Sequence, residues 1–163
     1  MHVVDVFDKI SSNIAMDYAK GIKTMAEAVE KTGAEAKEAG LSFEQLAALS
    51  AKVAERTRSE GSEIGGAIRT ILVRLSKVGK MPGYEDEVSN EELSNASKSL
   101  HAIGVEVYDA QGNFRDFTTI VGELEEKWDS LSDAQRSNIS YNVAATRQSE
   151  KFRNILVAYK EAM

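Results

Sequence analysis

The chain is 163 residues long, has no cysteine and only one proline, and carries a formal net charge of −6 at pH 7. The missing cysteines exclude disulfides and thiolate metal sites, and the negative charge argues against a general nucleic-acid binder, whose affinity comes mainly from neutralising phosphates. No apolar run approaches the roughly 20 residues that a membrane-spanning helix needs. The composition is typical of one helical domain spanning residues 1–163, which is long enough to bury a core.

Three sets of apolar residues recur at helical spacing in the first third of the chain, and each set predicts one amphipathic helix. The sets are Val3, Phe7, Ile10 and Ile14; then Tyr18, Ile22, Met25 and Val29; then Phe43, Leu46, Leu49, Val53 and Thr57. Polar residues 11–13 are expected to cap or break the first helix, and Gly40 to end the second. Ser42 with Gln45 has capping-box spacing at the start of the third helix, which Gly61 is expected to end.

The stretch 59–79 has the strongest helical pattern in the chain. Ser62 is expected to cap its helix, and Gly79 to end it. Between them the apolar stripe consists of Ile64, Ile68, Ile71, Leu72, Leu75 and Val78. The Gly-Gly-Ala run at 65–67 leaves the first turns almost without side chains, so we expect another backbone to approach closely there. The very short connection to the preceding helix predicts an antiparallel or sharply angled pair.

The segment from Lys52 to Lys80 is basic within an acidic chain, with a local net charge of +4. Its basic residues are Lys52, Arg56, Arg58, Arg69, Arg74, Lys77 and Lys80. One interpretation is a solvated helical face that pairs with acidic neighbours in the same fold or in a second copy. The other interpretation is a surface that contacts DNA or an acidic partner protein.

Residues 79–88 contain the only proline and an acidic run, and this composition predicts an exposed loop. Ser89 with Glu92 then has capping-box spacing, and Gly104 is expected to end the helix that follows. The apolar stripe of that helix is Leu93, Ala96, Leu100 and Ile103.

The period changes near 105–115, where apolar and polar residues alternate around a run with turn chemistry at 109–113. This pattern predicts a small β-hairpin that must lie on helices, because a lone hairpin is marginal in water. Asp116 is expected to cap the next helix, and Ser132 with Gln135 forms another capping-box pair. The later stripes are Phe117, Ile120, Val121, Leu124 and Trp128; then Ile139 and Val143; then Phe152, Ile155, Leu156 and Tyr159. The predicted fold is all-α, a bundle of about six to seven helices with one small hairpin.

Residue patterns that would carry catalysis are weak. His2 and His101 are isolated from other metal-ligating residues, and no glycine-rich phosphate loop follows a strand. Glu106 and Asp109 on the predicted hairpin are candidates for a glycosidase carboxylate pair. A hydrophilic strand edge and a turn aspartate explain the same two residues better. We therefore expect no enzyme activity, no cofactor, no metal and no small-molecule substrate.

The segment 40–76 resembles the core region of phage tail tape measure proteins. A capped helix there leads into the family's pattern of Thr-Arg, spaced glycines and a following Arg-Thr. The residues that occupy the pattern are Thr57, Arg58, Ser59, Gly61, Gly65, Arg69, Thr70 and Arg74. Similarity continues in the opening segment 3–16, in the predicted hairpin 104–117 and in the closing segment 124–156. The closing segment carries Thr146, Arg147, Gln148 and Phe152, but Ala145 stands where the family usually has glycine.

This resemblance implies a structural protein of a phage, prophage or phage-like tail. Tape measure proteins lie in the lumen of the virion tail, set the length of the tail tube during assembly in the host cytoplasm, and leave ahead of the DNA at ejection. At about 1.5 Å per residue, this chain would span only about 240 Å as one helix. We therefore expect a compact domain of a longer tape measure protein rather than the ruler itself.

The partners implied by the resemblance are other tape measure copies, the tail tube, tail-tip proteins and assembly chaperones. If copies associate, close helix contact is expected at the Gly-Gly-Ala run, and the basic segment is the expected surface for DNA or an acidic protein. Gly66 and Lys77 therefore join the pattern residues as candidates. Two other classes are alternatives: a generic helical adaptor for protein interactions, which would show the same caps and stripes, and, less favoured, a cell-wall hydrolase domain that uses the carboxylates of the predicted hairpin.

Overall fold

A computed structural model describes residues 5–6, 9–10, 18–75 and 90–162. Within these ranges the chain forms helices joined by short turns, and the first two short ranges are also helical. Six helices have described bounds: α1 (Tyr18–Glu38), α2 (Phe43–Thr57), α3 (Gly61–Leu75), α4 (Asn90–His101), α5 (Phe117–Trp128) and α6 (Asp133–Ala162). The predicted all-α bundle is confirmed.

The predicted β-hairpin is wrong. The described residues near 105–115 contain only one isolated antiparallel bridge, between Tyr108 and Phe114. The turn itself forms, because the Asp109 carboxylate accepts hydrogen bonds from the backbone amides of Gln111 and Asn113. The two arms pair too briefly for a ladder, and such a short hairpin has little stability of its own. Val107, in the first arm, is buried in the main hydrophobic cluster and joins this segment to the bundle.

Local capping chemistry explains several helix ends. The Ser42 hydroxyl accepts from the Gln45 amide, and the Gln45 side chain accepts from the Ser42 amide, so this capping box is confirmed. Ser132 and Gln135 make the same reciprocal pair at the start of α6. Gly40 follows α1 at φ +80°, a left-handed conformation that a glycine adopts without a steric penalty.

Two predicted boundary roles are wrong, and a third is confirmed only in position. Arg58, not Gly61, takes the left-handed position after α2 (φ 56°), and its amide bonds the Ala54 carbonyl at 2.7 Å. Gly61 instead begins α3, and the Glu60 carbonyl accepts the first backbone bonds of that helix. Ser62 is therefore a helical residue rather than the cap. Asp116 stands at the cap position of α5, but its side chain makes no capping bond there.

Helix α3 lies at the centre of the described fold. It packs along α1 and α6 more extensively than against α2, its neighbour in the chain. The predicted stripe is confirmed at Ile64, Ile68, Ile71, Leu72 and Leu75, all of which are buried. These side chains belong to the main hydrophobic cluster, to which all six helices contribute. A smaller cluster joins Val6, Met25, Ala47 and Ala51.

Helix α6 is two helical segments joined by a kink at Ala145, where φ is 62° and ψ is 167°. The sequence predicted two helices here, and each buries its own predicted stripe. The second segment packs on α5: the rings of Trp128 and Phe152 meet edge to face at 5.7 Å, and the Tyr159 hydroxyl donates to the Thr118 carbonyl. Burial raises the pKa of the Tyr159 hydroxyl.

Several predictions fall outside the described residues and remain predictions. They concern the exposed loop at 79–88, the Ser89–Glu92 capping box, and residues His2, Val3, Phe7, Ile14, Lys77, Val78, Gly79 and Lys80. In the part of the chain that is described, no helix is both long enough and apolar enough to cross a bilayer.

Candidate interaction surface

The turn between α2 and α3 is shaped by the first residues of the family pattern. The Thr57 hydroxyl donates to the Val53 carbonyl at 2.8 Å and accepts from the Ser59 amide at 3.2 Å. Arg58 supplies the left-handed residue between them. These contacts are all internal to the turn, so this part of the pattern directs the chain from α2 into α3.

The spaced glycines of the pattern face α1. A Cβ at Gly61 would lie 2.3 Å from the carbonyl oxygen of Thr24, and one at Gly65 would lie 2.8 Å from the Lys31 Cβ and 3.1 Å from the Ala28 Cα. Real Cβ atoms do not approach other atoms so closely, so α1 and α3 pack at a separation that only glycine permits. At Gly66 no atom lies within 4 Å of the same ideal position.

Arg69 links α3 to α1 through a largely buried ion pair. Its Nε atom lies 2.8 Å from Oε1 of Glu35, a residue that is only 5% exposed. A carboxylate at that depth needs a charged or hydrogen-bonding partner, and Arg69 provides one. The adjacent Thr70 hydroxyl donates to the Gly66 carbonyl within α3. Glu35 was not identified from the sequence. The one indication in the sequence is that an acidic residue occupies a position on the core-facing side of a predicted helix.

Arg74 links α3 to the kink in α6. Its Nη1 atom donates to the carbonyl oxygen of Asn142 at 3.1 Å, three residues before Ala145. Carbonyls in the last turn of a helical segment lack regular backbone partners, and an arginine satisfies one here. Gln148 follows the kink, and its buried Oε1 atom has no hydrogen-bond partner among the described residues. Thr146 and Arg147 lie in the helical backbone between these positions.

Other basic residues of the central segment also have acidic neighbours within the chain. Lys52 pairs with Glu55 at 3.2 Å, and Arg56 pairs with Glu161 of α6 at 3.0 Å. Together with the Arg69–Glu35 pair, they favour the interpretation that these basic residues pair with acidic neighbours within the fold. Arg58 is exposed.

The proposed glycosidase carboxylates have structural contacts instead. Glu106 lies 2.6 Å from Nδ1 of His101, on an exposed part of the surface. The Asp109 carboxylate accepts the two amide bonds that close its turn. No group of three or more His, Cys, Asp or Glu side chains is arranged to hold a metal ion within the described ranges.

A groove of about 460 Å³ lies beside the kink, between α5 and the two segments of α6. Its lining residues include Trp128, Arg136, Ser140, Tyr141, Ser149 and Arg153. Tyr141 is 60% exposed, which is unusual for a large aromatic side chain. Sequence reasoning did not single out this surface, because its residues come from both sides of a kink and do not follow one helical stripe.

Residues 1–142 match the family described as phage-related minor tail protein. The matched region contains the α2–α3 turn, both spaced glycines and Arg74. No solved structure is significantly similar to the chain.

Proposed function

The chain belongs to the phage-related minor tail protein family, and from this premise we propose that it is a compact domain of a tape measure protein. Membership of the family makes the chain a structural protein of a phage tail and locates it in the virion tail. The finer role is supported by the ordered resemblance to the tape measure core region along segments 3–16, 40–76, 104–117 and 124–156.

The contacts of the pattern residues are the observation that carries the proposal. Gly61 and Gly65 set the spacing of α1 and α3, Arg69 pairs with Glu35, and Arg74 holds the kink in α6. Each of these contacts joins one helix to another. A pattern whose members join helices to one another supports a role in tail architecture rather than in chemistry.

In this role the domain is carried by a longer chain that measures the tail. A helical ruler adds about 1.5 Å per residue, so the length comes from extended helical parts outside this domain. The domain then serves for anchoring or ejection: it resides in the tail lumen, is assembled in the host cytoplasm, and leaves the tube ahead of the DNA.

The partners we propose are proteins: the tail tube, tail-tip proteins, assembly chaperones and other copies of the chain. The basic residues Lys52, Arg56 and Arg69 pair with carboxylates of the same chain, and Arg74 donates to a carbonyl. The net charge of −6 also argues against DNA binding. We therefore expect no DNA binding tighter than about 10⁻⁴ M in a gel-shift titration near physiological salt.

Tail length tests the proposal. An in-frame deletion of a long helical stretch of the parent gene, outside this domain, is expected to shorten tails by about 1.5 Å per deleted residue in electron micrographs. A matched control replaces the deleted stretch with an unrelated helical sequence of equal length, and normal tail length is expected to return. Tails of unchanged length in the deletion strain would remove the tape measure role and leave a helical adaptor of the tail.

A further inference from the structure

The kink in α6 joins two helical segments through a single residue in an unfavourable conformation. At φ 62° and ψ 167°, Ala145 occupies a backbone region that is essentially restricted to glycine. Its Cβ makes this conformation strained, and the strain disappears if the residue becomes helical. Helix α6 would then be one continuous helix of 30 residues, about 45 Å long.

The two segments are held to the rest of the fold in different ways. The first segment follows α5 directly and is fixed by the Ser132–Gln135 capping box and by Arg136, which donates to the carbonyls of Trp128 and Asp129. The second segment is joined to the rest of the fold by side-chain contacts. These contacts are Phe152 on Trp128, Tyr159 on Thr118, Lys160 with Glu125, Arg56 with Glu161 and Lys151 with Glu63.

From this geometry we propose that the segment 146–162 is exchanged between two copies of the chain. In the exchanged dimer α6 is straight, and the second segment of each copy occupies the site on α2, α3 and α5 of the other copy, which that copy's own second segment has vacated. Every contact of the second segment is retained, since an identical segment fills an identical site. The strain at Ala145 is released in both copies, and this release favours the dimer.

A second copy is the partner that fits this surface. The vacated site presents the ring of Trp128 and the carboxylates of Glu63 and Glu125, which match the ring of Phe152 and the ammonium groups of Lys151 and Lys160. A straight helix directs the second segment away from its own core, so it cannot fill its own site. The inference rests on the fold alone and is independent of the tape measure role.

Crosslinking distinguishes exchange from ordinary surface association. Because the chain has no cysteine, Glu125→Cys and Lys160→Cys place one thiol in each of two separate chains. The two variants are mixed, unfolded, refolded together at high protein concentration, and separated by size before treatment with a short bismaleimide. We expect covalent heterodimers from the dimer fraction and none from the monomer fraction, because the 3.1 Å contact of positions 125 and 160 then joins two chains.

A matched control combines Glu125→Cys with Lys20→Cys, an exposed position on α1. This pair is expected to give only background crosslinking. A dimer whose Glu125→Cys and Lys160→Cys chains crosslink no better than the control associates without exchange, which would overturn the proposal. Failure of the protein to form any dimer at the highest soluble concentration would overturn it as well.

Substitution of the kink residue tests the source of the exchange. Ala145→Gly removes the Cβ that causes the strain, and the dimer fraction after refolding is expected to fall several-fold. Ala145→Leu increases the strain, and the dimer fraction is expected to rise. If the leucine variant does not fold, the glycine variant still decides, because a dimer fraction equal to that of the unmodified chain would remove the kink as the cause.

Discussion

The α1–α3 contact and the kink in α6 depend on glycine in opposite ways. In α3, Gly61 and Gly65 have ordinary helical conformations, and the missing Cβ is what the contact with α1 requires. At the kink the backbone has a conformation typical of glycine, but the residue is Ala145. In the first region, the space between two helices decides which side chain fits. In the second region, the backbone conformation of one residue decides which side chain is favourable. Exchanging glycine for alanine, or alanine for glycine, is therefore expected to change stability in different ways. Alanine should be unfavourable at Gly61 and Gly65, where it meets α1, and glycine should be favourable at residue 145.

Removing apolar volume beside the α1–α3 contact should have the largest effect. Ile71 is buried on α3 within the main cluster, and Ile71→Ala is expected to lower the free energy of unfolding by about 2 to 5 kcal/mol. Urea unfolding followed by circular dichroism measures the change. Glu126→Ala, on the exposed side of α5, is the control. An equal shift of the urea midpoint in both variants would contradict burial of the α3 stripe.

Adding one methyl group at the contact tests the steric limit directly. Gly61→Ala places a Cβ against the Thr24 carbonyl, and the forced separation of α1 and α3 is expected to cost about 1 to 3 kcal/mol. Gly66→Ala adds the same group where there is open space, and it is expected to stabilise the protein by up to about 1 kcal/mol through helix propensity. If both variants shift the urea midpoint in the same direction, α1 and α3 do not pack as closely as described.

Removing one methyl group at the kink is expected to stabilise the fold. Ala145→Gly relieves the strain of the positive φ angle and is expected to stabilise the monomer by about 1 kcal/mol. Ala26→Gly, at an exposed position in the regular helix α1, is expected to destabilise by about 1 kcal/mol. Thermal unfolding at low protein concentration compares the two. A loss of stability in both variants would show that residue 145 is helical in solution.

The smallest effect concerns a polar contact that belongs to neither region. Arg115 binds Glu123 through two hydrogen bonds, and these bonds together with the positive charge lower the pKa of the Glu123 carboxyl. A lowered pKa means that the folded state binds the proton more weakly than the unfolded state. The pair therefore stabilises the fold above the usual titration range of a glutamate, and this contribution is lost as pH falls through the lowered pKa.

The expected magnitude is below about 1 kcal/mol, because both side chains are partly exposed and screened by solvent. The stability difference between the unmodified chain and Arg115→Gln should be largest at neutral pH and shrink in acid. Glu123→Gln removes the titrating group and should abolish the same pH-dependent part. Urea midpoints measured from pH 7 downward provide the comparison. A difference that stays constant with pH would exclude this linkage.

The sequence predicted features whose causes lie within a few residues of one another. Capping boxes at Ser42 and Ser132 form as expected, since each needs only a hydroxyl and an amide three residues apart. The buried stripe of α3 follows from helical periodicity alone. The resemblance also located the residues that join the helices, including Gly65 and Arg74, although it did not say what they contact.

Other features depend on the spacing of elements that are distant in sequence. Periodicity could not show that α3 packs mainly on α1, so Gly61 looked like a helix end when it is a close contact. The buried partner of Arg69 and the carbonyl bound by Arg74 were unpredictable for the same reason. The alternating residues near 105–115 predicted two strands, but the described residues there form one isolated bridge.

By itself, then, the sequence determined the helical class, two of the caps and the stripe of the central helix, because these arise from local hydrogen bonding and from a period of 3.6 residues. Only the tertiary structure decided which helices meet, how closely they meet, and where α6 bends. Those features depend on steric fit between surfaces brought together by folding, and Ala145 adopts its strained conformation because packing on both sides of it outweighs the local cost.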